Sequence, residues 1–167
     1  MTRAIRLSWI VIGFLIVSTA NAQIGEKPST YLDPEVRETV KSIGARKDVM
    51  EALKFIKDTD DRTVAEHIEL TEIPAPPFKE EVRAAHWLQM IKVETGLDSV
   101  WIDAVGNVLA WKKGTTGNRT VVLDAHLDTV FPEGTDMTVK TKGDTLLAPG
   151  IGDDTRGLAM VLTVARA

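Results

Sequence analysis

The stretch Thr120-Val121-Val122-Leu123-Asp124-Ala125-His126 constrains the fold more than any other part of the chain. Read as a strand, it carries apolar side chains on both faces, as central parallel strands do when they are covered from two sides. A strand of that kind needs helices above and below it. The rest of the sequence supplies helical patterns, and the alternation of helices with strands points to a layered α/β domain.

Four helices are expected before it. Asp33-Pro34-Glu35 combines an N-cap, a proline at the first helical position and an acid in the first turn, predicting a helix to about Ile43. Val49, Met50, Leu53 and Ile56 recur at helical spacing. A third helix runs from about Asp61 to Glu72, with Val64, Ala65 and Ile68 as its apolar positions. The block Ile73-Pro74-Ala75-Pro76-Pro77 must end it, because proline lacks an amide proton and restricts the residue before it. A fourth, amphipathic helix spans about Lys79 to Thr95, with Ala84, Trp87, Leu88 and Ile91 on one face and Gly96 as C-cap.

After Gly96 the period changes. Val100-Trp101-Ile102 and Asn107 to Trp111 read as a hairpin around a turn at Ala104 to Gly106. Short strands are expected at Met137 to Lys140 and Thr145 to Ala148, and an apolar helix from Thr155 to Ala167. Trp87, Trp101 and Trp111 read as core or core-edge residues.

The two ends of the charge and hydropathy pattern speak to location. Arg3 and Arg6 precede an apolar run from Leu7 to Val17, and Ala20-Asn21-Ala22 offers the small residues that signal peptidase needs. The run falls short of the roughly 20 residues of a spanning helix. The expectation is a signal peptide over 1–22, cleaved after Ala22, and a secreted or periplasmic product with no stable membrane span. A polar lead-in over 23–45 and a catalytic-type domain over 46–167 would follow. The 167 residues include no cysteine, which excludes disulfides, a thiolate-ligated metal and a thiol nucleophile. The net charge of −4, without a basic stripe, argues against nucleic acid as a partner.

Two clusters carry chemistry. In His126-Leu127-Asp128 the imidazole and the carboxylate are two residues apart, so in extended chain they project to one face. They would lie beyond the C-terminal end of the strand, where open α/β sheets place their ligand crevices. A neutral imidazole is a good zinc ligand, and its second nitrogen commonly donates to a carboxylate such as Asp128. The motif alone equally describes a hydrogen-bonded pair at a strand end. The second cluster, Pro149-Gly150-Ile151-Gly152-Asp153-Asp154-Thr155-Arg156-Gly157, precedes an apolar helix. Alone it also describes a helix N-terminus capped by Asp153 or Asp154. Together, an imidazole and several carboxylates without cysteine suit zinc or another divalent ion in a mixed N/O site.

The stretches VVLDAHLDTVFP and LLAPGIGDDTRGLA, preceded by IELTEIPAPPFKEEVRAAHWLQMI and GLDSVWIDAVGNVLA, resemble the N-terminal half of zinc exopeptidases related to glutamate carboxypeptidase, peptidase T and aminoacylase. The resemblance runs from about Val64 to Ala167. It implies a three-layer α/β zinc-exopeptidase-like catalytic domain, of which this chain would hold the N-terminal portion. It further implies that His126 ligates one of two zinc ions, that Asp128 orients and polarises His126, and that Asp153 bridges both ions. Asp154 would follow across an unusual, cis peptide bond without being a ligand. A hydroxide held between the ions would attack a peptide or N-acyl amide carbonyl.

In that family a pair of adjacent glutamates (general base and metal ligand), a further acidic ligand, a dimerisation domain and a distal histidine come later. None of them matches a position up to Ala167. On this reading the chain is a fragment, inactive and poorly folded alone, and a homodimer would require the later domain. Glu80-Glu81 reads as a solvated helix start, and His67 and His86 as surface or packed helical histidines. The alternative from another class is a non-catalytic exported α/β binding module or a decayed gene fragment.

Overall fold

A computed structural model describes residues 33–93 and 95–167. The expected signal peptide and most of the lead-in lie outside the described residues. Among the described residues, no helix is long and apolar enough to cross a membrane.

The first helix, α1 (Pro34–Gly44), starts as its sequence dictates: the Glu35 amide donates to the Asp33 carboxylate at 2.8 Å, and proline takes the first turn. The second, α2 (Lys47–Asp58), follows after a two-residue turn. Both are amphipathic, yet neither buries a residue, so Val49, Met50, Leu53 and Ile56 form no core face.

The molecule is organised around α3 (Asp60–Glu72), α4 (Glu81–Lys92) and the final helix, α5 (Arg156–Arg166). The inner face of α3 consists of Thr63, Glu66, His67, Leu70 and Thr71, and Ala65 is exposed. This corrects the expected face of Val64, Ala65 and Ile68. The helical period is right, but the positions it selects are mostly polar. They are accommodated because α5 answers them: Thr63 and Thr163 hydroxyls meet at 2.8 Å, and Thr71 and Thr155 at 2.7 Å. Arg166 Nη1 donates to both carboxylate oxygens of Glu66, at 2.9 and 2.7 Å, with the two side chains almost wholly buried, and Arg62 Nε donates to the same carboxylate at 3.0 Å. Burying two charges is costly, and direct charge-assisted contact, with Arg62 as a second cation on Glu66, is what offsets it.

The apolar core sits beside this polar seam. It comprises Leu70 of α3, Trp87 and Ile91 of α4, and Leu158, Ala159 and Leu162 of α5. The Trp87 indole donates to the Leu158 carbonyl at 3.2 Å, satisfying its one polar atom inside the core. Helix α4 ends at Lys92, so Gly96, with φ +57°, belongs to the following turn and is not the helix cap.

The expected hairpin is present. β1 (Ser99–Ile102) pairs antiparallel with β2 (Val108–Trp111), Trp101 opposite Leu109. Asp103 shapes the turn by accepting the Val105 and Asn107 amides. Trp101 and Trp111 are about half exposed, so of the three tryptophans only Trp87 is core. A second hairpin joins β3 (Lys140–Lys142) to β4 (Thr145–Leu147), with β3 starting where a strand from Met137 was expected to end.

The largest correction concerns Thr120 to His126. Among the described residues no strand pairs with this run, and Val121, Val122 and Leu123 are 84%, 73% and 58% exposed. Its apolar composition on both faces is real, but burial needs neighbours, and the two small sheets lie elsewhere in the chain. The mixture of helices and small sheets is compatible with an α/β class.

Leu162→Ala is expected to cost about 2–5 kcal/mol, since the side chain is fully buried between three helices. Val164→Ala, on the exposed side of the same helix, is expected to stay within about 1 kcal/mol. Denaturant titration of both variants checks this; equal losses would show that α5 does not pack as described.

Candidate metal centre

The site is built from two segments, each fastened to a helix. The first is residues 126–129. Helix α4 presents Arg83, Trp87 and Ile91 along one stripe, and Arg83 is completely buried. Its guanidinium donates through Nη1 to the Leu127 carbonyl at 2.7 Å, and through Nε (3.1 Å) and Nη2 to the Ile73 carbonyl. A second tie is the Thr129 amide, which donates to the Ala75 carbonyl at 2.8 Å. The proline block after α3 therefore has a structural use: of its carbonyls, freed from helical bonding, Ala75 receives the Thr129 amide and Ile73 receives the Arg83 side chain.

The second segment is the turn Ile151–Thr155 leading into α5. It is not regular helix: Asp153 has φ −142° and ψ 85°, Asp154 has φ −132° and ψ 34°, and the peptide bond between them is cis. Helix α3 holds it from beneath. His67, buried, donates from Nε2 to the Ile151 carbonyl at 2.6 Å, and Thr71 meets Thr155. Gly150 has φ +69°, and a Cβ there would stand 2.7 Å from the Thr129 methyl, so the two segments touch where glycine is required twice over.

The consequence is that His126, Asp128 and Asp153 come together. The His126 Nδ1–H donates to the Asp128 carbonyl at 3.0 Å and to its carboxylate at 3.1 Å. A carbonyl can only accept, which fixes the proton on Nδ1 and leaves Nε2 as the ring's outward nitrogen. Nε2 faces the Asp153 carboxylate at 2.8 Å. With acceptors at both nitrogens, the ring favours its charged form, and its pKa is raised, first by Asp153 and then, against partial burial, by Asp128. Asp154 is turned away: its carboxylate accepts the Gly157 amide at 3.0 Å and so caps the start of α5. The two adjacent acids thus divide, one exposed and facing the imidazole, the other engaged with a helix end.

The donor chemistry of this pair fits a divalent cation. An imidazole nitrogen with its tautomer set by a carboxylate, opposed to an exposed carboxylate, is a usual half of a mixed N/O site. Among the described residues no group of three or more His, Asp or Glu side chains converges that could hold an ion, so the fit rests on two donors.

The remaining candidates have other tasks. His86 is paired with Glu69 on the surface at 2.7 Å, Glu81 is exposed in the first turn of α4, and Glu80 accepts the Phe78 amide. Sequence reasoning missed Arg83 and the threonine pairs, and of the two readings given for His67, surface or packed, the packed one is found. A charged residue on the apolar stripe of an amphipathic helix, four before Trp87, was the available signal for Arg83.

His67 makes a pH prediction. Burial lowers its pKa, so the folded ring is neutral where the unfolded one begins to protonate, near 6.5. Acidification below about pH 6.5 therefore favours unfolding, until the folded ring itself takes the proton. The raised pKa of His126 works in the opposite direction, stabilising the folded form at low pH and losing that contribution as pH rises through the folded value. The measurement is hence a difference: His67→Asn should flatten the loss of stability between about pH 6.5 and 5 relative to wild type. An unchanged slope in denaturant titrations would contradict the assignment.

Comparison with curated proteins finds no match for the chain. Comparison with protein families finds one: residues 107–167, which contain His126, Asp128 and Asp153, match the model of peptidase family M28, a match that supports a hydrolase of the peptidase type.

Proposed function

We propose that the chain belongs to an exported zinc-dependent peptidase or amidohydrolase, an exopeptidase acting on peptide or N-acyl amide bonds, with a three-layer α/β catalytic domain and two ions at its centre. The observation that carries the reading is the meeting of His126 and Asp153 at 2.8 Å, inside the segment that matches the peptidase family. The signal-like pattern of residues 1–22 supports export, and the resemblance to zinc exopeptidases supports the metal and the bond cleaved.

In this reading His126 and Asp153 hold metal. Zinc, when bound, supplies a Lewis acid for the scissile carbonyl and lowers the pKa of a bound water towards about 7. The chain's own contribution is orientation. Asp128 keeps the Nδ1 proton in place, so that Nε2 is the nitrogen offered to the ion. Asp154, committed to the helix end, keeps Asp153 at the junction between turn and helix. Asp153 is the more exposed partner, its side chain 86% accessible, which leaves its second oxygen open to a further ion.

The test is hydrolysis by the full-length protein of unblocked and N-acylated di- and tripeptides, followed by chromatography. Activity should vanish with a chelator and return with zinc. A zinc-loaded protein that cleaves none of these amides would overturn the proposal. Asp128→Asn is expected to weaken zinc binding about 10–100-fold, with His126→Ala costing more, as read by competition with a chromophoric chelator. Unchanged affinity in His126→Ala would remove the histidine from the metal shell.

A further inference from the structure

We infer that Arg83 is a positioning residue for the metal site: its buried guanidinium fixes the Leu127 carbonyl, and through it the relative placement of His126 and Asp128. The inference rests on the proposed role of His126 as a ligand and extends it to a residue outside the matched segment.

Geometry carries it. Leu127 lies between the imidazole and the carboxylate, and its carbonyl accepts from Arg83 Nη1 at 2.7 Å. The Nε and Nη2 hydrogens go to a single carbonyl, Ile73, at the end of α3. One rigid planar group thus bridges two chain segments that are 54 residues apart in sequence, and a planar fork holds distance and angle together. Packing alone would need no charge there. Arg83 is 0% exposed and makes no ion pair among the described residues, an arrangement that is costly unless the charge is used. Burial pulls the Arg83 pKa down to about 10, and the charge of Asp128, whose carboxylate accepts from His126 Nδ1, acts against that. The guanidinium therefore holds the backbone that joins His126 to Asp128. The other tie on this segment, from Thr129 to Ala75, is a single hydrogen bond between backbone groups and does not span the Leu127 carbonyl.

The experiment uses the full-length protein and Arg83→Lys, which keeps charge and stem but cannot reach both carbonyls at once. Two quantities are read: zinc affinity by chelator competition, and the His126 ring 15N–1H correlations in the metal-free protein. The expected result is a zinc affinity about 10-fold weaker or more in the folded variant, with a displaced or exchange-broadened Nδ1–H signal. A folded Arg83→Lys protein with wild-type affinity and an unmoved Nδ1–H signal would overturn the inference and leave Arg83 a structural residue. Should the variant fail to fold, the wild type decides: the Arg83 Nε–H resonance is expected to shift with the same midpoint as the His126 ring during zinc titration, and an unresponsive Arg83 overturns the proposal. Wild type that takes up no zinc fails at the functional reading itself, a result distinct from either.

Discussion

The contact on which the rest depends is the polar seam between α3 and α5. Thr63 meets Thr163, Thr71 meets Thr155, and Glu66 grips Arg166, all between two helices that are remote in sequence. Small hydroxyl side chains let the helices approach closely, and directional bonds fix their sliding register in a way that interchangeable leucines would not. Once the register is set, Leu70 meets Leu158, Ala159 and Leu162, and α4 closes the core with Trp87 and Ile91. The turn before α5 then has no freedom to drift, because His67 and Thr71 reach it from α3.

The same logic separates the two acids at 153 and 154. A helix start attracts negative charge, and one carboxylate is enough to satisfy the first free amides. Asp154 takes that position, so Asp153 is released to face His126. Gly157 is part of the division: a Cβ there would fall 2.2 Å from an Asp154 carboxylate oxygen, so the capping acid occupies the space of the missing side chain. The glycine frame around the acids is thus explained by packing as well as by turning.

Much of this was legible in the sequence, and the exceptions are instructive. Pro34 after Asp33, the proline block after α3, and the turn at Asp103 to Gly106 act through local backbone chemistry, which a sequence displays directly. The helix α5 followed from its apolar pattern, and the pairing of His126 with Asp128 from their spacing, whereas the choice of Asp153 over Asp154 came from the family resemblance. The inner face of α3 did not, because its period was written in threonine, glutamate and histidine, whose burial depends on partners about a hundred residues away. Thr120 to His126 failed for the complementary reason: the composition of a buried strand describes what a segment requires, whereas pairing is a property of its neighbours. Arg83 showed only as a charge on an apolar stripe, because the two carbonyls that decide its burial leave no mark in a sequence.

The touching of Gly150 and Thr129 has one more consequence. Two segments carrying donors 27 residues apart are held in van der Waals contact and clamped to separate helices, before anything is bound. The loss of chain freedom needed to bring an imidazole and a carboxylate face to face is thereby borne by folding, and association with a ligand does not have to supply it. On the proposed reading, His126 and Asp153 would meet an ion with a relative placement settled by the helices beneath.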